Sequence, residues 1–263
     1  MKTQSIALAG LLASILSAVA GTNATLPEPT GYGLGASPDT EDEWSFEIAP
    51  YVWVANIGAE TSLPWNGPDQ PDSVQRLDTK ITGAFMIEAM ARYRSLGLLL
   101  DFSWLRLDSE THRQGTLYSG ANLQTDYIYA TAGLTYALPL RGNFHAELLA
   151  GARLWSISSD FDMKSGTLPG FNASVSETWV SPIIGANFRY DLTPQWTLFA
   201  EGIWGGFTNS STQWDAYAGV CYRFSDSWSG TLGYRYLSEK YETSRYTFDI
   251  DVQGAQVGLQ YMF

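Results

Sequence analysis

The 263-residue sequence has one cysteine, Cys221, and two histidines. A single cysteine cannot form an internal disulfide, and so few thiols and imidazoles leave no His/Cys cluster for a transition metal. Charged residues are only 16% of the chain, and the 15 Lys and Arg residues do not cluster within a net charge of −12. Because phosphate binding needs a concentrated basic face, we expect no nucleic-acid partner.

One long apolar run is present, and it lies at the N-terminus. Lys2 precedes an uncharged stretch over residues 6–20 that ends in the small-residue pattern AVA. This arrangement is typical of a cleaved signal peptide, and the run is shorter than the roughly 20 residues of a membrane-spanning helix. We assign residues 1–20 to a signal peptide and the Pro- and Gly-rich residues 21–42 to a linker. The mature protein is then either soluble outside the cytoplasm or crosses a membrane as strands.

The remaining sequence alternates apolar and polar side chains with a period of two. This alternation returns about ten times from residue 43 to the C-terminus, with tight turns after the even-numbered strands. Most connections after odd strands are longer and more polar, notably 56–80, 109–122 and 159–177. The pattern predicts an all-β fold, a transmembrane antiparallel up-and-down β-barrel of about ten strands over residues 43–263. Eight and twelve strands are the alternatives.

Aromatic residues distinguish this barrel from a soluble sandwich, which would alternate as well. Nearly every apolar face carries an aromatic side chain at the end nearest a short turn, where a membrane–water interface favours Trp and Tyr. These residues are Trp44, Phe46, Tyr93, Tyr136, Phe144, Phe188, Tyr190, Trp196, Tyr222, Phe224, Trp228, Tyr261 and Phe263. A soluble core gives no reason to concentrate aromatics at one end, so we expect the apolar faces to contact lipid.

The opposite faces carry ionisable residues, which would share the lumen of a barrel. A barrel of about ten strands lies near the size that side chains fill, and balanced acids and arginines favour pairing over an ion-selective pore. We therefore predict an ion-paired, packed lumen. Its charge network comprises Glu47, Glu88, Arg92, Arg94, Asp101, Glu147, Arg153, Arg189, Glu201, Asp215, Arg223 and Arg235.

The signal peptide, the alternating strands, the aromatic ring and the terminal Phe263 resemble Gram-negative outer-membrane β-barrel proteins. The segments APYVW, GARLW, WVSPIIGANFRYDL, GGF and GYRYL are similar to those of an uncharacterised proteobacterial group. The resemblance implies that residues 21–42 are periplasmic and that outer-membrane lipid, lipopolysaccharide and the barrel-assembly machinery are the partners. It also implies that the last strand is an assembly signal, formed by Val257, Leu259, Tyr261 and Phe263.

Few residues suggest chemistry. His145 lies near a short turn and His112 lies close to Ser109 and Glu110, but neither predicts a His/Asp or His/Ser site on facing strands, so we expect no catalysis. The pairs Asp160/Asp162 and Asp249/Asp251 are candidate Ca²⁺ or Mg²⁺ ligands or simply solvated faces, and we predict no metal site or cofactor. A structural barrel with a packed lumen is therefore the leading interpretation. The alternatives are a porin-like channel for small solutes and a surface protein that binds partners through its extracellular loops.

Overall fold

The computed structural model describes residues 44–62, 78–111, 118–208, 211–242 and 247–263, so the predicted signal peptide and linker lie outside it. Each strand pairs with its neighbours along the chain, and β1 also pairs with β10, so that the sheet closes into a barrel. This confirms the predicted all-β, up-and-down fold. The strands are β1 (Trp44–Ser62), β2 (Asp78–Tyr93), β3 (Leu96–Thr111), β4 (Tyr118–Ala137), β5 (Phe144–Ser165), β6 (Phe171–Asp191), β7 (Trp196–Thr208), β8 (Ser211–Arg223), β9 (Trp228–Glu242) and β10 (Thr247–Met262).

Within the described ranges, no helix is long and apolar enough to cross a membrane.

The turn between β2 and β3 corrects the sequence prediction for Arg94. Tyr93 pairs with Leu96, which leaves Arg94 and Ser95 as a two-residue turn. Arg94 has a φ of 55°, the positive value that a tight hairpin turn favours. Its side chain is exposed and its guanidinium carbon lies 5.3 Å from the centre of the Tyr93 ring. The prediction that Arg94 faces the lumen is therefore wrong, because the alternation of β2 ends at Tyr93.

The exterior of the strands marks the lipid-facing band. Exterior side chains of β10 are apolar over residues 255–263 and become Gln and Asp over 249–253. On β5 they are apolar over residues 144–154 and become Ser and Asp over 156–160. These apolar stretches match the roughly 9 to 11 residues that a tilted strand needs to cross the hydrocarbon region. Because short turns lie on the periplasmic side of such barrels, the polar ends of the strands point outward from the cell.

Several strands continue far beyond this band. The strands β4, β5 and β6 are 20, 22 and 21 residues long, whereas β7 and β8 have 13 residues each. The sequence prediction of polar loops at 109–122 and 159–177 is therefore largely wrong, because most of these residues are strand. In 56–80, residues 63–77 lie outside the described chain and the rest is strand. The misreading arose because these strands have polar exteriors once they leave the lipid.

The barrel wall divides into two sheets toward its extracellular end. Among the described residues, the pairing of β1 with β2 ends at Pro50, and the pairing of β6 with β7 ends at Ile183, next to Pro182. Proline has no backbone N–H to donate to a ladder, so it suits the point where pairing stops. Beyond these points β2–β6 form one sheet, and β7–β10 with β1 form a second sheet that faces it.

The space between the two sheets holds a cluster of buried side chains, here called the apolar plug. Where the exterior faces water instead of lipid, apolar side chains can leave water only by turning inward, as in a soluble protein. The sheets then pack through their inner faces, and the outer half of the lumen is filled. The plug consists of Tyr51, Trp53, Met86, Tyr129, Trp155, Ile157, Trp179, Leu237, Phe248, Ile250 and Val252.

Candidate functional site

Asp215 of β8 is the centre of the charged interior, and only 2% of its surface is exposed. Arg235 of β9 donates to both of its carboxylate oxygens, from Nε at 2.9 Å and from Nη2 at 2.7 Å. Arg153 of β5 donates from Nη2 to Oδ2 of Asp215 at 3.0 Å and from Nε to Thr131 at 2.8 Å. One buried carboxylate therefore joins two arginines from opposite walls of the barrel, as the planar fork of arginine allows.

Aromatic rings connect this ion group to the plug above it. Tyr51 donates to Asp101 at 2.8 Å, and its hydroxyl oxygen lies 3.0 Å from that of Tyr129. The guanidinium carbon of Arg235 lies 5.1 Å from the centre of the Trp53 ring and 3.6 Å separates its Nη2 from Asp101. Cation–π contacts of this kind compensate part of the desolvation of a buried guanidinium. The charged layer and the aromatic layer thus form one packed unit.

A second group of charges lies nearer the periplasmic end. Nη2 of Arg92 is 2.7 Å from Oε1 of Glu147, and both residues are buried. Glu147 and Arg153 share the inward face of β5, but each pairs with a different strand. Glu47 and Arg189 are also buried in this region, and Arg223 at the end of β8 is half-buried. Of the twelve predicted network residues, eleven therefore lie on lumen-facing positions, and Arg94 does not.

Glu88 and Glu201 face the lumen but join neither ion group. Glu88 is paired across the ladder with another acid, Asp101, and Glu201 with Tyr217. Neither glutamate forms an ion pair with a described arginine or lysine. The predicted balance of charge is therefore wrong, because Arg94 lies outside the lumen and the centre of the network holds more acids than arginines.

A network of hydrogen bonds, which sequence reasoning missed, runs through the plug. The indole Nε1 of Trp179 donates to Oε1 of Glu239 at 2.9 Å, and the hydroxyl of Ser211 donates to the same oxygen at 3.4 Å. Ser211 and Ser181 are in turn 3.0 Å apart between their hydroxyl oxygens. Trp179 also stacks on Tyr241 at a ring separation of 4.3 Å. The sequence signal for the plug was that, toward the extracellular end of each strand, the inward face becomes apolar and the outward face becomes polar.

His145 has an acidic neighbour that sequence reasoning did not place. Its Nε2 lies 3.1 Å from Oδ2 of Asp191, whose other oxygen accepts a hydrogen bond from Thr197 at 2.7 Å. The group stands at the short-turn end of β5, β6 and β7. The other histidine, His112, lies outside the described residues, as does the side chain of Glu110, while Ser109 is buried.

The terminal strand has the exterior that was predicted for the assembly signal. Val257, Leu259 and Tyr261 lie on the outer face of β10, and Phe263 is 74% exposed. The backbone N–H of Phe263 donates to the carbonyl of Phe46 at 3.0 Å, so the last residue is held against β1. Its aromatic ring is therefore displayed at the membrane edge while its backbone is paired. The role of these residues in assembly stays a prediction.

Polar pairs occupy the exterior above the lipid band. Arg106 donates to both oxygens of Asp126, from Nε at 2.8 Å and from Nη2 at 3.0 Å. This bidentate hydrogen bond lowers the pKa of Asp126 below its ordinary value. Asp251 accepts a hydrogen bond from Tyr236 at 2.8 Å, and Asp249 stands opposite Lys240. Among the described residues, no group of three or more His, Cys, Asp or Glu side chains is arranged to hold a metal ion.

A closed sheet of ten strands with an apolar outer band, an aromatic belt and a charged interior defines a transmembrane barrel of the outer-membrane type. Residues 6–263 match the outer membrane protein beta-barrel domain, and the chain belongs to this family. Membership indicates the outer membrane of a Gram-negative bacterium as its location.

The chain is also similar to several solved structures, at low sequence identity. The translocator domain of the autotransporter NalP from Neisseria meningitidis is 14% identical, with a TM-score of 0.40 over 98% of this chain and 96% of that one. Ail, the attachment invasion locus protein of Yersinia pestis, is 15% identical, with a TM-score of 0.37 over 85% and 100%. The outer membrane protease OmpT from Escherichia coli is 9% identical, with a TM-score of 0.43 over 86% and 100%. No curated protein matches the chain.

Proposed function

We propose that this protein is a structural barrel of the outer membrane that has a sealed lumen and no catalytic activity. The apolar plug is the observation that carries the proposal. It closes the extracellular half of the lumen with buried rings and aliphatic side chains from both sheets. Among such side chains, water loses its hydrogen bonds and ions lose their hydration, so a static plug is a barrier to conduction.

The ion-paired layer below the plug supports the same conclusion. Arg153, Asp215 and Arg235 reach across the interior and are almost completely buried. Two cavities in this layer have volumes of about 30 and 20 Å³, which is close to the space of single water molecules. A solute would therefore have to displace both layers, whereas a general pore keeps an open aqueous path.

Single-channel recording in planar bilayers tests the proposal. Wild-type protein should show no large, stable open state, and a variant with Trp155→Ala and Trp179→Ala should begin to leak, because two stacked rings of the plug are removed. A matched control is Trp204→Ala with Trp214→Ala, a stacked pair on the exterior. Steady wild-type conductance at the level of a general porin would overturn the proposal and favour the channel.

The raised wall formed by β4, β5 and β6 favours a second candidate, a surface protein that binds partners outside the cell. These strands extend well beyond the lipid band and present Ser, Thr, Asn and Asp side chains to water. Such a surface is available to lipopolysaccharide or to a protein. Cells that carry the barrel with residues 159–177 shortened should then lose surface binding but keep normal barrel levels. Unchanged binding would reject this candidate.

Assembly and export complete the proposal. The exposed aromatic face of β10 would be recognised by the barrel-assembly machinery, and removal of residues 1–20 would accompany export. The exterior Asp249 and Asp251, which lie just above the lipid band, would meet lipopolysaccharide headgroups through divalent cations.

A further inference from the structure

Two acids in the middle of the barrel lack a cationic partner. Glu88 stands opposite another acid, Asp101, across the ladder, and it lines one cavity together with Glu201. Arg235 lines the same cavity, but its guanidinium is already hydrogen-bonded to Asp215. Like charges that face each other across a ladder destabilise a sheet. Something other than arginine must therefore offset the charges of Glu88 and Glu201.

In the central layer of the lumen, acidic residues outnumber arginines. It contains the acids Glu88, Asp101, Glu201 and Asp215, and the arginines Arg153 and Arg235. Asp215 uses both arginines, and Asp101 receives a hydrogen bond from Tyr51 with Arg235 at 3.6 Å. The carboxylates left over are those of Glu88 and Glu201. Burying an uncompensated charge is very costly, so each of these two groups must either hold a proton or bind a cation.

A cavity of about 30 Å³ lies between the two glutamates. Tyr217 also lines it, and this residue is 8% exposed with no hydrogen-bond partner for its hydroxyl oxygen among the described residues. Buried polar groups normally find partners, so the unpaired hydroxyl of Tyr217 points to a bound species.

We propose that the cavity between Glu88 and Glu201 is a binding site for one small monovalent cation, such as Na⁺. Glu88 and Glu201 supply one negative charge between them, because a proton neutralises the second acid, and neutral oxygens complete the coordination. The candidate neutral ligands are the hydroxyls of Tyr217 and Thr231. The side-chain carbonyls of Gln256 and Gln260 line the same cavity but already accept hydrogen bonds from Arg235 and Ser229.

The surroundings favour a monovalent ion over Ca²⁺ or Mg²⁺. Arg235 lines the same cavity and repels a cation, and the penalty is greater for a double charge. Calcium sites usually have six to eight oxygen ligands, several of them from carboxylates. Among the described residues, no group of three or more carboxylates is arranged to hold a metal ion. One Na⁺ would cancel one carboxylate charge, and a proton on the second glutamate would cancel the other.

Thermal unfolding in detergent tests the site with Na⁺ as the probe. At constant ionic strength, wild-type protein should unfold about 3 to 6 °C higher in saturating NaCl than in choline chloride, since a cation that binds only the folded state stabilises it. Glu88→Gln with Glu201→Gln should remove this difference. The double variant should also be at least as stable as wild type in choline chloride, because an uncompensated charge has gone. Glu242→Gln, at the exposed end of β9, is the matched control and should keep the Na⁺ response.

Equal midpoints in NaCl and choline chloride would overturn the proposal. So would stability that depends on pH alone, because protons would then neutralise both acids. A larger Glu88-dependent response to CaCl₂ than to NaCl would overturn the choice of a monovalent ion. None of these results depends on whether the barrel conducts.

Discussion

Replacing Asp215 by Asn should be among the most destabilising changes in the barrel. The substitution keeps the shape of the side chain but removes the charge that holds Arg153 and Arg235. Both arginines are buried, so neither can recover its hydration without opening the wall. Breaking a buried ion pair by removing one partner costs about 3–5 kcal/mol, because an uncompensated charge remains.

The geometry sets where in this range the cost should fall. Asp101 lies 3.6 Å from Arg235 and offers it a substitute partner, and Arg235 also borders the cavity with Glu88 and Glu201. Arg153 keeps its hydrogen bond to Thr131. Partial re-pairing therefore places the loss near the lower end, at about 3 kcal/mol. For a chain of this size, that corresponds to a fall in the unfolding midpoint of roughly 6 to 12 °C.

Unfolding in detergent can be followed by circular dichroism and by the heat-modified mobility of the barrel on gels. Asp226→Asn is the matched control, since it makes the same change at an exposed position in the turn between β8 and β9. Adding Arg153→Gln to Asp215→Asn should restore part of the loss, because one unpaired charge is then removed. If Asp215→Asn unfolded within a degree or two of the control, the central ion group would not stabilise the lumen.

Two further predictions concern the surfaces of the barrel. Deleting Phe263 should lower the amount of folded protein in the outer membrane without changing export across the inner membrane, whereas Phe263→Tyr should preserve it; equal levels of wild type and truncation would reject the assembly role. The pKa of Asp126 is lowered by Arg106, so this pair stabilises the fold above the ordinary carboxyl pKa of about 3.9 and loses its effect as the pH falls through the folded-state pKa. Because Arg106 is 40% exposed, Asp126→Asn should cost less than about 1 kcal/mol at neutral pH and nothing in strong acid. A cost that stayed the same in acid would show that the ion pair is not its cause.

Local pattern was enough to predict the barrel. The two-residue period assigns each side chain of a strand to one of two faces, and lipid requires one of those faces to be apolar. The outward positions of Trp44, Tyr136 and Trp196 and the inward positions of Glu47, Arg153 and Asp215 are therefore evident from the chain alone. Arg94 was placed wrongly, since a period cannot show where a strand gives way to a turn.

The partners of the inward charges depend on tertiary structure. Glu147 pairs with Arg92 of β2 and not with Arg153 of its own strand, and Arg153 pairs with Asp215 of β8. These contacts cross the lumen, so they are set by the stagger of ten strands around the closed sheet. No spacing within one strand contains that information. The excess of acids at Glu88 and Glu201 became visible only when the arginines had been assigned to other partners.

Alternation and aromatic ends are properties of single strands, so a membrane barrel can be predicted from the chain alone. The plug in the lumen cannot, because it depends on tertiary packing. Above the lipid the exterior faces water, so the same alternation places apolar side chains inside, as with Ile250 and Phe248 of β10. The wall also parts beside Pro50 and Pro182, which lets two sheets pack face to face. Whether an inward apolar side chain packs against one from the other sheet depends on the distance between the two sheets. That distance is a property of the whole fold.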